Sequence, residues 1–91
     1  KNRMDHIKGV KKMKQKRIIL PTIEEAKAFV AAASQWDFDI DIFYNRVVID
    51  AKSILGVLSL DLRKVLTVEY SGENEAFEAF LKEKSADRRV A

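Results

Sequence analysis

The chain has 91 residues, of which 47% are hydrophobic and 34% charged, a composition that suits one small domain with a single core. It contains no cysteine and only one histidine, which excludes disulfides, thiolate metal sites and sites built on two imidazoles. Three glycines and one proline leave no room for the glycine-rich loops that bind nucleotide phosphates. We therefore expect no cofactor, no metal ion and no small-molecule substrate.

Positive charge is concentrated at the N-terminus. The first seventeen residues hold eight Lys or Arg and one acidic residue, Asp5, whereas the rest of the chain holds nine basic and thirteen acidic residues. We predict a basic extension over residues 1–14, a domain over 15–85 and a short tail over 86–91. The sequence shows neither a long apolar segment nor a secretory leader, so we expect a cytoplasmic protein with no membrane contact.

The first strand and helix are predicted on either side of a proline. The run Lys16–Leu20 predicts a strand that ends at Pro21, because proline restricts the residue before it. Thr22 and Glu25 have the spacing of a capping box, in which each side chain binds the backbone amide of the other residue. Apolar residues then recur at helical spacing, which predicts a helix that ends near Gln35.

A hairpin is predicted next. Asp37–Ile42 alternates acidic and apolar residues, which indicates a half-buried strand with its aspartates on a solvated face. Neighbouring carboxylates on one strand face lie ~6.6–7 Å apart, so we expect no metal site there. Asn45 tolerates positive φ and predicts a turn into a second strand over Val47–Ile49.

The second half of the sequence adds two helices and a strand. Ser53 is a good N-cap for a short helix in the segment Ser53–Leu60. Val65–Tyr70 alternates as a strand, and Glu73–Lys84 carries apolar residues on one helical face. This order predicts an α+β fold in which three helices cover one face of a four-stranded, mainly antiparallel sheet.

Residues 51–60 form the motif Ala-Lys-Ser-Ile-Leu-Gly-Val-Leu-Ser-Leu. This motif and the element order resemble HPr, the histidine-containing phosphocarrier of the bacterial sugar phosphotransferase system, and Ala26–Val30 is similar to the family's first helix. The resemblance covers residues 16–84 and implies an HPr-like open-faced βαββαβα sandwich. In Gram-positive members the serine of this motif is a regulatory phosphorylation site, so the resemblance predicts phosphorylation of Ser53.

The phosphoryl-accepting segment of the family differs in this sequence. HPr proteins carry Gly-Leu-His-x-Arg-Pro-Ala at the start of the first helix. Counting back from Phe29 places Thr22 at the histidine position and Glu24 at the arginine position. The carboxylates of Glu24 and Glu25 would also repel a phosphate at this helix start. We therefore expect no phosphocarrier activity and no catalytic residue.

The resulting hypothesis is a regulatory or adaptor protein related to the phosphotransferase system. It resembles in logic the catabolite-repression HPr paralogue, which lacks the histidine and keeps the serine. The resemblance implies protein partners, namely an HPr kinase or a transcription regulator of the catabolite control type.

The short helix after Ser53 is the predicted docking surface. One helix cannot bury both of its sides against a single sheet, and spacing assigns Val57 and Leu60 to the core. The residues predicted to contact a partner are Lys52, Ile54, Leu55 and Leu58.

Two alternatives remain open. His6 would be the acceptor of an atypical phosphocarrier, although no arginine lies at a fixed offset from it and no helix start follows it. The basic extension would suit a nucleic-acid-associated module, but no aromatic residues alternate with its lysines to stack on bases. We therefore expect protein partners rather than nucleic acid.

Overall fold

The computed structural model describes residues 13–89, with side chains described as far as Asp87. In this range the strands are β1 (Lys14–Ile18), β2 (Ile40–Tyr44), β3 (Val47–Asp50) and β4 (Leu66–Tyr70). The helices are α1 (Ile23–Ala33), α2 (Ile54–Leu58) and α3 (Glu75–Glu83), followed by a 3₁₀ helix (Ala86–Arg89). The elements follow one another in the order βαββαβα.

The four strands form one sheet in the order β1-β4-β2-β3, and every neighbouring pair is antiparallel. β2 and β3 form the predicted hairpin, in which Asn45 has a φ of 55°. Asparagine accepts this left-handed conformation at lower cost than most residues. The fold class predicted from the sequence is confirmed.

The core lies between one face of the sheet and the three helices. Alternate residues of β2 and β4 are buried, because successive side chains of a strand point to opposite faces. All three helices contribute buried side chains to the same core, including Phe29, Val57, Phe77 and Leu81. No helix within residues 13–89 covers the other face of the sheet, as the aspartate-bearing strand predicts.

β1 begins two residues earlier than predicted, at Lys14, and ends at Ile18. Each of its residues pairs with β4. Beyond Ile18 the chain leaves β4, because the Ile19 amide donates to the carbonyl of Lys84 at the end of α3 (2.9 Å). Pairing between distant segments, rather than the local apolar run, therefore sets the ends of this strand.

The strand predicted over Asp37–Ile42 is only partly correct, because β2 begins at Ile40. Asp41 lies in β2, and the two earlier aspartates of the motif precede it. The chain before β2 instead places the ring of Phe38 edge-on against that of Phe77, with 6.1 Å between the ring centroids. Aromatic packing therefore replaces the first part of the predicted strand.

Two of the helices are shorter than predicted. α1 ends at Ala33, and α3 begins at Glu75 because Asn74 caps it by accepting from the Phe77 amide (3.0 Å). Asparagine is among the best N-cap residues, so the helix starts after it. Glu73, predicted for the first turn, lies outside the helix.

The sequence pattern does not predict the 3₁₀ helix that follows α3. This helix contacts β1, where Arg17 and Asp87 form an exposed ion pair (3.2 Å). The bounds expected for the extension, domain and tail remain a prediction. Between residues 13 and 89, no helix has the length and apolar composition needed to cross a membrane.

Candidate functional site

Thr22 stands directly before α1 and caps its N-terminus. Its backbone is extended (φ −127°, ψ 161°), and its hydroxyl accepts a hydrogen bond from the Glu25 amide at 3.1 Å. This bond occupies one of the amides that would otherwise be free to bind an anion at a helix start. Glu24 is exposed in the first turn, where its charge opposes a phosphate. This helix start therefore disfavours a phosphoryl group.

The capping box predicted for this turn forms only in part. In the described part of the chain, the Glu25 carboxylate binds the Lys84 ammonium (3.0 Å) instead of the Thr22 amide. A charged donor binds a carboxylate more strongly than a neutral amide does. The two side chains are only 20% and 26% exposed, so solvent competes weakly for them. The ion pair ties the start of α1 to the end of α3.

Ser53 caps α2, as the sequence predicts. Its hydroxyl accepts from the Gly56 amide (3.1 Å), and its own amide donates to the carbonyl of Asp50 (3.0 Å). These two bonds fix the turn that leads from β3 into α2. The residue is exposed, so its hydroxyl is open to solvent.

Lys52, predicted to lie beside a partner, has its ammonium directed towards the chain just beyond α1. Its Nζ donates to the carbonyl of Trp36 at 2.6 Å, and its amide donates to the Asp50 carboxylate at 2.9 Å. Carbonyls that follow a helix carry partial negative charge and attract a cation. The role of Lys52 as a counter-charge near Ser53 remains a prediction, and that role requires the bond to Trp36 to open.

The sides of α2 differ in burial as the spacing predicts. Leu55 is 80% exposed, and Ile54 and Leu58 are half-buried, whereas Val57 and Leu60 are 0% and 7% exposed. We call the side formed by Ile54, Leu55 and Leu58 the α2 patch. Its exposure is confirmed, and its contact with a partner remains a prediction.

Ile23 is a further exposed apolar residue near these elements. Helical spacing would place it with the core residues of α1, yet its side chain is 55% exposed in the first turn. It precedes the part of α1 that packs on the sheet, and α1 also packs against α2. Spacing alone did not identify this residue as part of the surface.

Gly56 lies where α2 approaches β3 closely. A methyl group at this position would lie 2.5 Å from Cγ2 of Ile49 and 3.1 Å from the Ser53 hydroxyl. Glycine weakens a helix by about 1 kcal/mol relative to alanine. Close packing against Ile49, which no local pattern shows, accounts for its presence.

A polar cluster of Lys14, Tyr70 and Glu78 joins β1, β4 and α3. The Tyr70 hydroxyl donates to Oε2 of Glu78 at 2.7 Å, and Nζ of Lys14 lies 3.3 Å from the same oxygen. Burial, and then the bond to Glu78, raises the pKa of Tyr70 far above its usual range. Partial burial would raise the pKa of Glu78, but the bonds from Tyr70 and Lys14 outweigh it and hold that pKa below its ordinary value.

This cluster is an anchor between elements rather than an acid–base site, because Tyr70 stays protonated and Glu78 ionised at neutral pH. Sequence analysis missed it, since its three residues come from separate elements. His6 lies outside the described residues. Among residues 13–89, no group of acidic or histidine side chains is placed to hold a metal ion.

One protein family has a model that matches most of the chain. The family model described as the PTS HPr component phosphorylation site, where PTS is the phosphotransferase system, matches residues 23–83 of the chain. The chain belongs to the HPr family. The matched segment of this HPr-family protein begins one residue after Thr22 and contains Ser53 and all of α2.

Two solved structures of HPr proteins are similar to the chain. Phosphocarrier protein HPr from Bacillus anthracis str. Ames is 28% identical, with a TM-score of 0.62 and coverage of 80% of this chain and 98% of that chain. HPr-C-His from Thermoanaerobacter tengcongensis is 27% identical, with a TM-score of 0.53 and coverage of 78% and 83%. The expected resemblance to HPr proteins is thus confirmed at the level of family and fold.

Proposed function

We propose that this HPr-family protein does not carry phosphoryl groups and acts in the cytoplasm as a regulatory or adaptor protein of the phosphotransferase system. The observation that carries the proposal is Thr22, which caps α1 where the family resemblance places the phosphoryl-accepting histidine. At neutral pH a threonine hydroxyl without an adjacent base is a much weaker nucleophile than an imidazole. Glu24, at the arginine position, supplies a negative charge in place of a phosphate-binding cation.

The proposed control is phosphorylation of Ser53. The hydroxyl is exposed, stands at the start of α2 and adjoins the α2 patch. A phosphate there adds about −1.5 to −2 charges next to backbone amides that favour an anion. A partner with Arg or Lys opposite this position would bind the phosphorylated form more tightly, because charge-assisted hydrogen bonds to phosphate are strong. An HPr kinase and a transcription regulator of the catabolite control type are the proposed partners.

Intact-mass spectrometry after incubation with two phosphoryl donors tests the function. With phosphoenolpyruvate and Enzyme I we expect no added phosphate, while the Bacillus anthracis HPr gains one under the same conditions. With an HPr kinase and ATP we expect one added phosphate, which is absent from Ser53→Ala. An acid-labile phosphate from Enzyme I, on His6 or elsewhere, would show instead that the chain is an atypical phosphocarrier.

The Leu55→Glu substitution tests the α2 patch. Because Leu55 is 80% exposed, we expect the free energy of unfolding to change by less than about 0.5 kcal/mol. We expect the rate of Ser53 phosphorylation by the kinase to fall at least about tenfold. This change corresponds to a loss of ~1.4 kcal/mol of interaction free energy with the kinase. Val65→Glu is the matched control, because Val65 is 44% exposed and lies outside α2. Equal rates for both variants would remove the α2 patch from the interface.

A further inference from the structure

The sheet face that no helix of the described chain covers, here called the open face, carries a row of opposed carboxylates. One residue from each strand lies in this row. In the strand order β1-β4-β2-β3, the residues that lie opposite one another are Gln15, Glu69, Asp41 and Asp50. The strand neighbours of Glu69 and Asp41 are buried in the core, so these two side chains point to the open face. Gln15 and Asp50 lie directly opposite them and share this face. We call Glu69, Asp41 and Asp50 the acidic row.

The acidic row is unfavourable by itself. Like charges placed directly opposite on neighbouring strands repel each other. Burial, and then the charges of Asp50 and Glu69, raises the pKa of Asp41 above its ordinary value. Glu69 accepts a neutral hydrogen bond from Gln15 (3.1 Å). Among the side chains of residues 13–87, none of the three carboxylates forms an ion pair with a cation.

A strip that contains two apolar residues runs beside the acidic row. Two residues along each strand from the carboxylates, on the same face, the residues that lie opposite one another on β4, β2 and β3 are Thr67, Phe43 and Val48. Val48 is 60% exposed and Phe43 is half-buried. The open face thus presents negative charge and apolar surface side by side, which suits a segment that is both basic and apolar.

We propose that residues 1–12 of this chain bind across the open face, with basic side chains on the acidic row and apolar side chains on Phe43 and Val48. This segment lies outside the described residues, and the proposal uses only its composition and its point of attachment. Asp5 is the single acidic residue of the segment. The basic residues of the segment are Lys1, Arg3, Lys8, Lys11 and Lys12. Its larger apolar residues are Met4, Ile7 and Val10.

The attachment point favours this segment over a separate basic partner. Residue 12 precedes β1 by two positions, and Gln15 is the β1 residue opposite Glu69. Three strand spacings of ~4.8 Å place Asp50 about 14 Å across the sheet from Gln15. Twelve extended residues span up to ~40 Å, which is ample to cross the sheet. A covalent link also keeps the effective concentration of the segment in the millimolar range.

Paramagnetic relaxation in the full chain tests the proposal. The chain has no cysteine, so His6→Cys gives one attachment site for a nitroxide label. We expect the amide signals of Asp41, Val48 and Glu69 to lose most of their intensity. Those of Ala28 and Ala31, exposed on α1 on the far side of the sheet, should keep theirs. No loss on the open face, or an equal loss on both sides, would overturn the proposal.

Charge variants show whether the contact depends on the lysines of residues 1–12. In the labelled chain, combining Lys8→Gln, Lys11→Gln and Lys12→Gln should restore the open-face signals, because the attraction to the acidic row is removed. The matched control neutralises three exposed lysines of the domain, by Lys27→Gln, Lys64→Gln and Lys82→Gln, and should leave the signal loss unchanged. Equal restoration by both triple variants would overturn the specific contact.

A mixing experiment identifies the occupant. Chains at natural isotope abundance that carry the nitroxide are mixed with isotope-labelled chains that lack the nitroxide. If residues 1–12 bind within their own chain, signals of the isotope-labelled chains stay intact. Loss of the open-face signals in this mixture would show that a second copy occupies the face, and that result would overturn the intramolecular proposal.

Discussion

Phosphoryl transfer from Enzyme I is expected to be slow in Thr22→His and to become faster when Glu24→Arg is added. The imidazole supplies the nucleophile, but the charge of Glu24 in the first turn still opposes the incoming phosphoryl group. A guanidinium in its place adds a charge-assisted hydrogen bond to phosphate worth roughly 1.5–3 kcal/mol. We therefore expect the double variant to accept phosphate about 10- to 100-fold faster than the single variant.

Single-turnover transfer, measured as acid-labile phosphate against time, checks this expectation. Thr22→His with Glu24→Gln is the matched control, since it removes the negative charge without adding a donor, and its rate should fall between the other two. Thr22→His would also remove the hydroxyl cap of α1, so helix content is compared by circular dichroism. Transfer by Thr22→His alone at the rate of the Bacillus anthracis HPr would contradict the inhibitory role given to Glu24.

Gly72→Ala is expected to destabilise the domain by about 2–3 kcal/mol. Gly72 is buried beside the ring of Phe38, and an added methyl carbon would lie within 2.6 Å of three atoms of that ring. The ring cannot move away freely, because it packs against both Tyr70 and Phe77 at centroid distances of 6.2 and 6.1 Å. The substitution therefore forces strain into the aromatic part of the core.

Urea denaturation followed by the fluorescence of Trp36, the single tryptophan, measures this loss. Ser71→Ala is the neighbouring control and should change the free energy of unfolding by less than about 0.5 kcal/mol. In a Phe38→Leu background, Gly72→Ala should cost less than in the natural chain, because the colliding ring is gone. If Gly72→Ala lowers the free energy of unfolding equally in both backgrounds, collision with the Phe38 ring is not the cause of the loss.

Local patterns were sufficient for the element order and for several helix and turn positions. The Ser53 cap, the Asn45 turn and the division of α2 between Leu55 and Val57 follow from the sequence, and the structure has each of them. Caps, turns and periodicity depend on residues a few positions apart, so the sequence displays them directly. The family resemblance of residues 51–60 has the same local character.

The ends of β1 and β2 and the partners of the charged side chains depend on contacts between distant parts of the chain. Ile19 leaves β4 for Lys84, and Glu25 binds Lys84 instead of Thr22. A capping box read from two residues contains no information about a lysine 59 positions away. The nearest strong donor in space, rather than in sequence, therefore decides which partner a carboxylate takes.

The acidic row has the same tertiary origin. Each of its carboxylates looks like an ordinary solvated residue of its own strand, and only the order β1-β4-β2-β3 places Glu69, Asp41 and Asp50 side by side. Strand order follows from which apolar faces pack together across the whole core, and repulsion between three surface charges is too weak to change it. Burial in the core thus fixed a surface that the sequence order of its residues does not reveal.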